Sequence, residues 1–134
     1  MLLTTYRHYT YTGIDLYING SKLPEVSTAK DLGITFDSHL FFTTHISSIT
    51  CTANQRVNLL FRSFLTRNRS MLVKAYVTYV RPILEYNSVV WSPYKIGDIP
   101  CIEKVQRSFT KRLPDLNNLT YRERLAVTNL DSLN

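Results

Sequence analysis

The chain has 134 residues, enough for one domain with a small core, and 44% of them are hydrophobic, which argues against global disorder. No stretch approaches the roughly 20 apolar residues that span a bilayer, and no apolar leader follows Met1, so neither a membrane span nor a secretory signal is expected. The formal net charge is +6 and unevenly placed. Residues 1–37 hold three basic and four acidic groups, and residues 85–134 hold seven and six. From Ser38 to Leu84 there is no Asp or Glu, only Arg56, Arg62, Arg67, Arg69, Lys74 and Arg81. The excess therefore lies in one block of the chain, which attracts polyanions. The plainer alternative is a solvated basic face.

The first 37 residues read as β. Tyr9, Tyr11, Ile14, Leu16 and Ile18 alternate with smaller or polar residues, the period of a half-buried strand. Asn19-Gly20 is a strong hairpin signal, because both residues tolerate φ > 0. A return strand, Lys22 to Val26, is shortened by Pro24. A third apolar run, Leu32 to Phe36, completes an expected thin three-stranded sheet.

From about Thr43 the period becomes helical. Ile46, Ile49, Ala53, Val57, Leu60 and Phe64 recur every three or four residues through a helix of about 20 residues. A break at Arg67 to Ser70 leads to a second stripe of Leu72, Tyr76, Tyr79, Ile83, Tyr86 and Val90. Pro82 inside it predicts a kink or a split. Tyr76, Tyr79, Tyr86 and Trp91 are expected to pack in the core with their polar tips satisfied. Ser92-Pro93 ends the run. Asp98 is a plausible N-cap, with Pro100 tolerated in the first turn. Ile102, Val105, Phe109 and Leu113 then form one face and Pro114 stops the helix. Thr120 to Glu123 has capping-box spacing, which starts a last helix through Leu125. The fold class is thus α+β, mostly α: short N-terminal strands over 1–37, then four to five helices over 38–134.

Catalytic patterns are missing. Two-metal phosphoryl chemistry needs carboxylates converging on ions about 4 Å apart, yet no two of the ten acidic residues are adjacent. Asp31 and Asp37 flank one expected strand and read as turn and cap residues. His39, His45 and Cys51 are spaced by six, off any single helix face, so a zinc site is not expected. Four glycines are too few to suggest a phosphate-cradling loop. Cys51 and Cys101 read as buried or half-buried thiols rather than a disulfide.

Ordered strings then carry a resemblance. Tyr17-Ile-Asn-Gly-Ser-Lys-Leu-Pro24, Lys30-Asp-Leu-Gly-Ile-Thr-Phe-Asp37, His45-Ile46 and Asn54-Gln-Arg-Val-Asn-Leu-Leu-Phe-Arg-Ser63 come first. Tyr79-Val-Arg-Pro-Ile-Leu-Glu-Tyr86 and Val90-Trp-Ser-Pro93 follow. After them come Ile102-Glu-Lys-Val-Gln-Arg107, Lys111-Arg-Leu-Pro114 and Leu119-Thr-Tyr-Arg-Glu-Arg-Leu125. Together, over about residues 14 to 133, they resemble the region after the catalytic palm in reverse transcriptases of jockey-like non-LTR retrotransposons. The resemblance lies in the order of these strings along the chain. The resemblance implies that 1–37 corresponds to the end of the palm and 38–134 to a thumb-like helical bundle and connection. It implies a grip on the template–primer backbone, with magnesium bound in a palm that this chain lacks.

The chain departs from that family in places. Cys51-Thr52 stand where relatives often carry a lysine, residues 1–13 match little, and the chain stops where relatives continue, so truncation at both ends is expected. The expected partners are an RNA or DNA duplex and a palm-bearing polymerase chain, with no membrane and no small-molecule ligand. An intracellular location, cytoplasmic or nuclear, would follow. No enzymatic activity is expected of the chain alone. Arg56, Arg62, Arg67, Arg69, Lys74 and Arg81 are the expected backbone contacts, and Lys104 and Lys111 in the near-neutral tail should matter less. A helical protein-interaction module and a relic reading frame are the rival readings.

Overall fold

The computed structural model describes residues 15–91 and 98–133, so the expected strand positions Tyr9, Tyr11 and Ile14, and the stop at Ser92-Pro93, lie outside the described residues. The chain divides into two units, residues 1–45 and 46–134. The architecture is α+β, with short hairpins preceding the helices.

In the N-terminal unit, β1 (Tyr17–Ile18) pairs antiparallel with β2 (Ser21–Lys22) through the Asn19-Gly20 turn, where φ is 51° and 76°. Positive φ at both central residues gives the twist that two-residue hairpin loops require. A Cβ on Gly20 would meet nothing within 4 Å, so glycine is favoured there by its backbone angle and not by space. Lys22 and Asp15 form an ion pair at 2.7 Å, too exposed to add much stability.

β3 (Thr28–Asp31) pairs antiparallel with β4 (Ile34–Asp37) in a separate ribbon. The expected three-stranded sheet is therefore replaced, among the described residues, by two two-stranded hairpins. The reason is local. Leu32 and Gly33, expected inside a strand, take φ of 47° and 83° and form the turn themselves. Leucine rarely visits the left-handed region, at a cost of about 1–2 kcal/mol, so its side chain gives no turn signal. The expected return strand also shortens to two residues, since Pro24 has no N–H to offer the ladder. Asp31 and Asp37 end different strands, at opposite ends of this hairpin. Asp37 is a turn residue, as expected: its Oδ1 accepts from the N–H groups of His39 (3.0 Å) and Phe41 (2.7 Å).

In the helical unit, α1 (Thr43–Ser63) buries Ile46, Ala53, Val57 and Leu60 of the expected stripe, while Ile49 is half-buried and Phe64, also half-buried, lies just past the helix end. Next, α2 (Arg69–Tyr79) is capped by Asn68, whose side chain accepts from Ser70 N and Met71 N. Pro82 splits the second stripe: α2 stops at Tyr79 and α3 (Arg81–Glu85) starts with the proline in its first turn. Two short elements follow the split, α3 and α4 (Ser88–Trp91), with Asn87 at a φ of 51° between them.

The interruption shifts the helical phase beyond Pro82, and part of the aromatic expectation fails on both sides of it. Tyr76 is buried and Trp91 donates its indole N–H to Tyr86 O at 2.6 Å, but Tyr79, Tyr86 and Val90 face solvent. Val80 and Leu84 take the buried positions in their place.

The centre of the helical unit is α5 (Asp98–Lys111), with Ile102, Val105 and Phe109 buried as expected and Leu113 just beyond it. Phe109 is fully buried. It stacks on Tyr76 with ring centroids 4.1 Å apart and lies tilted against Phe61 at 5.7 Å. Side chains from α1 and α2 thus meet on one ring of α5.

The last helix, α6 (Tyr121–Thr128), begins with the expected capping box. Thr120 N–H and Oγ1 both donate to Glu123 at 2.7 Å, and this holds the Glu123 carboxyl below its usual pKa range. Its stop was not legible as a Gly or Pro. Asn129 supplies it from the left-handed region at φ 53°, which asparagine tolerates better than most residues. Cys51 and Cys101 are exposed, not buried or half-buried as expected, because each falls off the buried stripe of its helix.

Candidate nucleic-acid interface

An open groove of about 680 Å³ lies within the helical unit, lined by Asn58, Phe61, Arg62, Arg67, Lys111, Arg112 and Asn117. It exists because Phe109 of α5 holds Phe61 of α1, which brings the C-terminal ends of both helices together. Arg62 sits in the last turn of α1 and Lys111 in the last turn of α5. A cation suits that position, because the free carbonyls there amount to about half a negative charge. Two such ends offset only about one of the four formal positive charges lining the groove. Among the described residues no carboxylate lines it.

Arg112 is the most fixed of the four. Its guanidinium donates to Asn58 Oδ1 at 2.7 Å and lies over the Phe61 ring, with Cζ 4.1 Å from the centroid. Among the described residues no carboxylate pairs with Arg62, Arg67, Lys111 or Arg112. Four cations sharing a concavity repel one another, and a bound polyanion relieves that repulsion.

The structure sorts the six residues expected from sequence. Arg62 and Arg67 line the groove. Arg56, Arg69 and Lys74 are exposed on α1 and α2, outside the groove lining. Arg81 is largely covered, with 18% of its side chain exposed, and its Nε–H donates to Glu85 at 2.6 Å, so its charge is already met within the chain. Lys111, expected to matter less, and Arg112, not singled out, complete the groove. A charge balance taken along the chain averages them with the acidic residues of α5 and α6. The available signal was that they directly follow the buried Phe109 face.

A second polar cluster lies on α5. Buried Glu103 accepts from Tyr121 Oη, from Ser132 Oγ at 3.3 Å and from Leu133 N–H at 2.9 Å. Gln106 Nε2 donates to Asp131 O at 2.8 Å, and its Oε1 accepts from Tyr76 Oη at 3.4 Å. Burial, and then the bond to Glu103, push the Tyr121 phenol up to about 12; burial likewise raises the Tyr76 phenol. Neither tyrosine is poised to exchange a proton near neutrality. The cluster anchors residues 131–133 on α5.

No group of three metal-binding side chains occurs among the described residues.

No family model matches the chain, and no solved structure matches it. It is similar to an uncharacterized protein of Caenorhabditis elegans, 31% identical over 106 residues, which covers 77% of this chain and 54% of the relative. The chain thus spans about half the length of that curated relative.

Proposed function

We propose that the chain acts as the thumb-side part of a reverse transcriptase of the jockey-like non-LTR kind. In this reading it holds template–primer nucleic acid by its sugar–phosphate backbone and carries out no chemistry of its own. The observation that supports it best is the groove, where Arg62, Arg67, Lys111 and Arg112 converge without a carboxylate. Guanidinium forks match phosphate oxygens in shape as well as charge. Backbone contacts carry no base information, so binding should be nearly independent of sequence. A palm-bearing chain would supply the metal-dependent step.

Fluorescence anisotropy with a labelled blunt duplex tests the reading. Four phosphate contacts give a log–log salt slope of about −3 to −4. Absence of binding near 0.1 M salt, or an affinity indifferent to salt, would sink it. The protein-interaction module would then lead, since Tyr79, Tyr86, Val89 and Val90 leave apolar surface uncovered, with Val89 94% exposed.

A further inference from the structure

We infer that the groove receives an unpaired nucleotide, the single-stranded end of a template–primer, and not the continuous duplex. This rests on the proposed nucleic-acid grip and makes the ligand of that same groove specific. A duplex needs only cations, since its bases are stacked on one another and its pairing edges are occupied. The groove holds more than cations. Beside the cations, this open groove presents an aromatic–guanidinium pair and two amides.

Phe61 and Arg112 form a stacked pair in its wall. Bound to Asn58 and supported by the ring, the Arg112 guanidinium is a fixed planar platform on which a base can stack. Two amides line the same concavity. Asn58 uses its Oδ1 on Arg112, which leaves its two amide N–H donors for a base edge. Asn117 is exposed on the loop after α5 and can offer both an acceptor and donors. Arg62, Arg67 and Lys111 surround these groups with charge for the flanking phosphates. The platform and the amides find partners only when the base is out of its pair, whereas the cations serve the flanking phosphates in either case.

The test compares a labelled blunt duplex with the same duplex bearing a short single-stranded extension, using the full chain. The extended duplex should bind about five- to tenfold more tightly, near the lower end of what stacking one base contributes. Arg112→Lys keeps the charge but removes the planar platform, and Asn117→Ala removes an amide at an exposed position. In each variant the ratio of the two affinities should fall, to about one for Arg112→Lys. Far-ultraviolet circular dichroism verifies that each variant is folded, and Asn117→Ala carries the test should Arg112→Lys disturb the Asn58 contact. Equal binding of both duplexes by the parent overturns the inference and leaves the backbone grip standing. A ratio unchanged in both variants overturns it as well. Failure to bind either duplex overturns the grip itself.

Discussion

Two triple variants with the same loss of charge separate a built interface from a diffusely basic chain. The first, Arg62→Ala with Arg67→Ala and Lys111→Ala, empties three of the four cationic positions in the groove. The second, Arg56→Ala with Arg69→Ala and Lys74→Ala, removes exposed cations that do not line it. Each takes the formal net charge from +6 to +3. Each phosphate contact contributes about 0.9 to the salt slope, so four give about −3.6 and the single cation left in the groove about −0.9. The first variant should therefore flatten the slope by about 2.7. At about 0.1 M salt that corresponds to about 2.7 decades in affinity, or about 3.7 kcal/mol. The second acts only through the long-range field, screened over about 10 Å at that ionic strength, and should cost no more than about threefold. All six positions are exposed, so the fold is not at risk. Anisotropy titrations of a blunt duplex between about 0.05 and 0.3 M salt read both quantities. If the two variants lose affinity and slope equally, the groove is not the interface and the charge acts only as a field.

Three further outcomes follow from the packing. Phe109→Ala removes the ring on which Tyr76 and Phe61 meet and should cost about 3–5 kcal/mol in urea denaturation; a loss under about 1 kcal/mol would mean that α1 and α2 do not depend on it. Thr120→Ala deletes the cap of α6 and should cost about 1 kcal/mol, read as a lower urea midpoint with unchanged slope. His45 has its pKa lowered by burial and by Lys30, and its Nδ1 accepts from Thr35 N–H at 3.4 Å, which requires the neutral ring. The unfolded chain then binds the proton more readily, so this stability is full above about pH 6.5 and is lost as pH falls below it. His45→Gln should remove that component of the pH dependence, and an unchanged profile would assign it elsewhere.

The sequence by itself determined the features whose physical cause is local. The stripe of α1, the face of α5 from Ile102 to Leu113, the split at Pro82, the Asn19-Gly20 turn and the capping box at Thr120 are all visible within a few residues of one another. Side-chain spacing, a missing N–H or a capping oxygen each act at short range, so a single chain segment reveals them. Tertiary structure decided what depends on distant partners. Leu32 accepts a left-handed backbone because Ile34 pairs with Asp31, a constraint that its own side chain does not announce. Tyr86 loses the core to Leu84 because the break at Pro82 changes which way the next turn faces, while Tyr79, ahead of the break, yields to its neighbour Val80. The groove was half legible. Arg62 and Arg67 stand out in an acid-free block, whereas Arg81 is consumed by Glu85 one turn later. Lys111 and Arg112 join them only because Phe109 holds Phe61, which brings residues about fifty positions apart to one surface. Charge density is a property of space, and a count along the chain measures it only where neighbours in sequence are also neighbours in the fold.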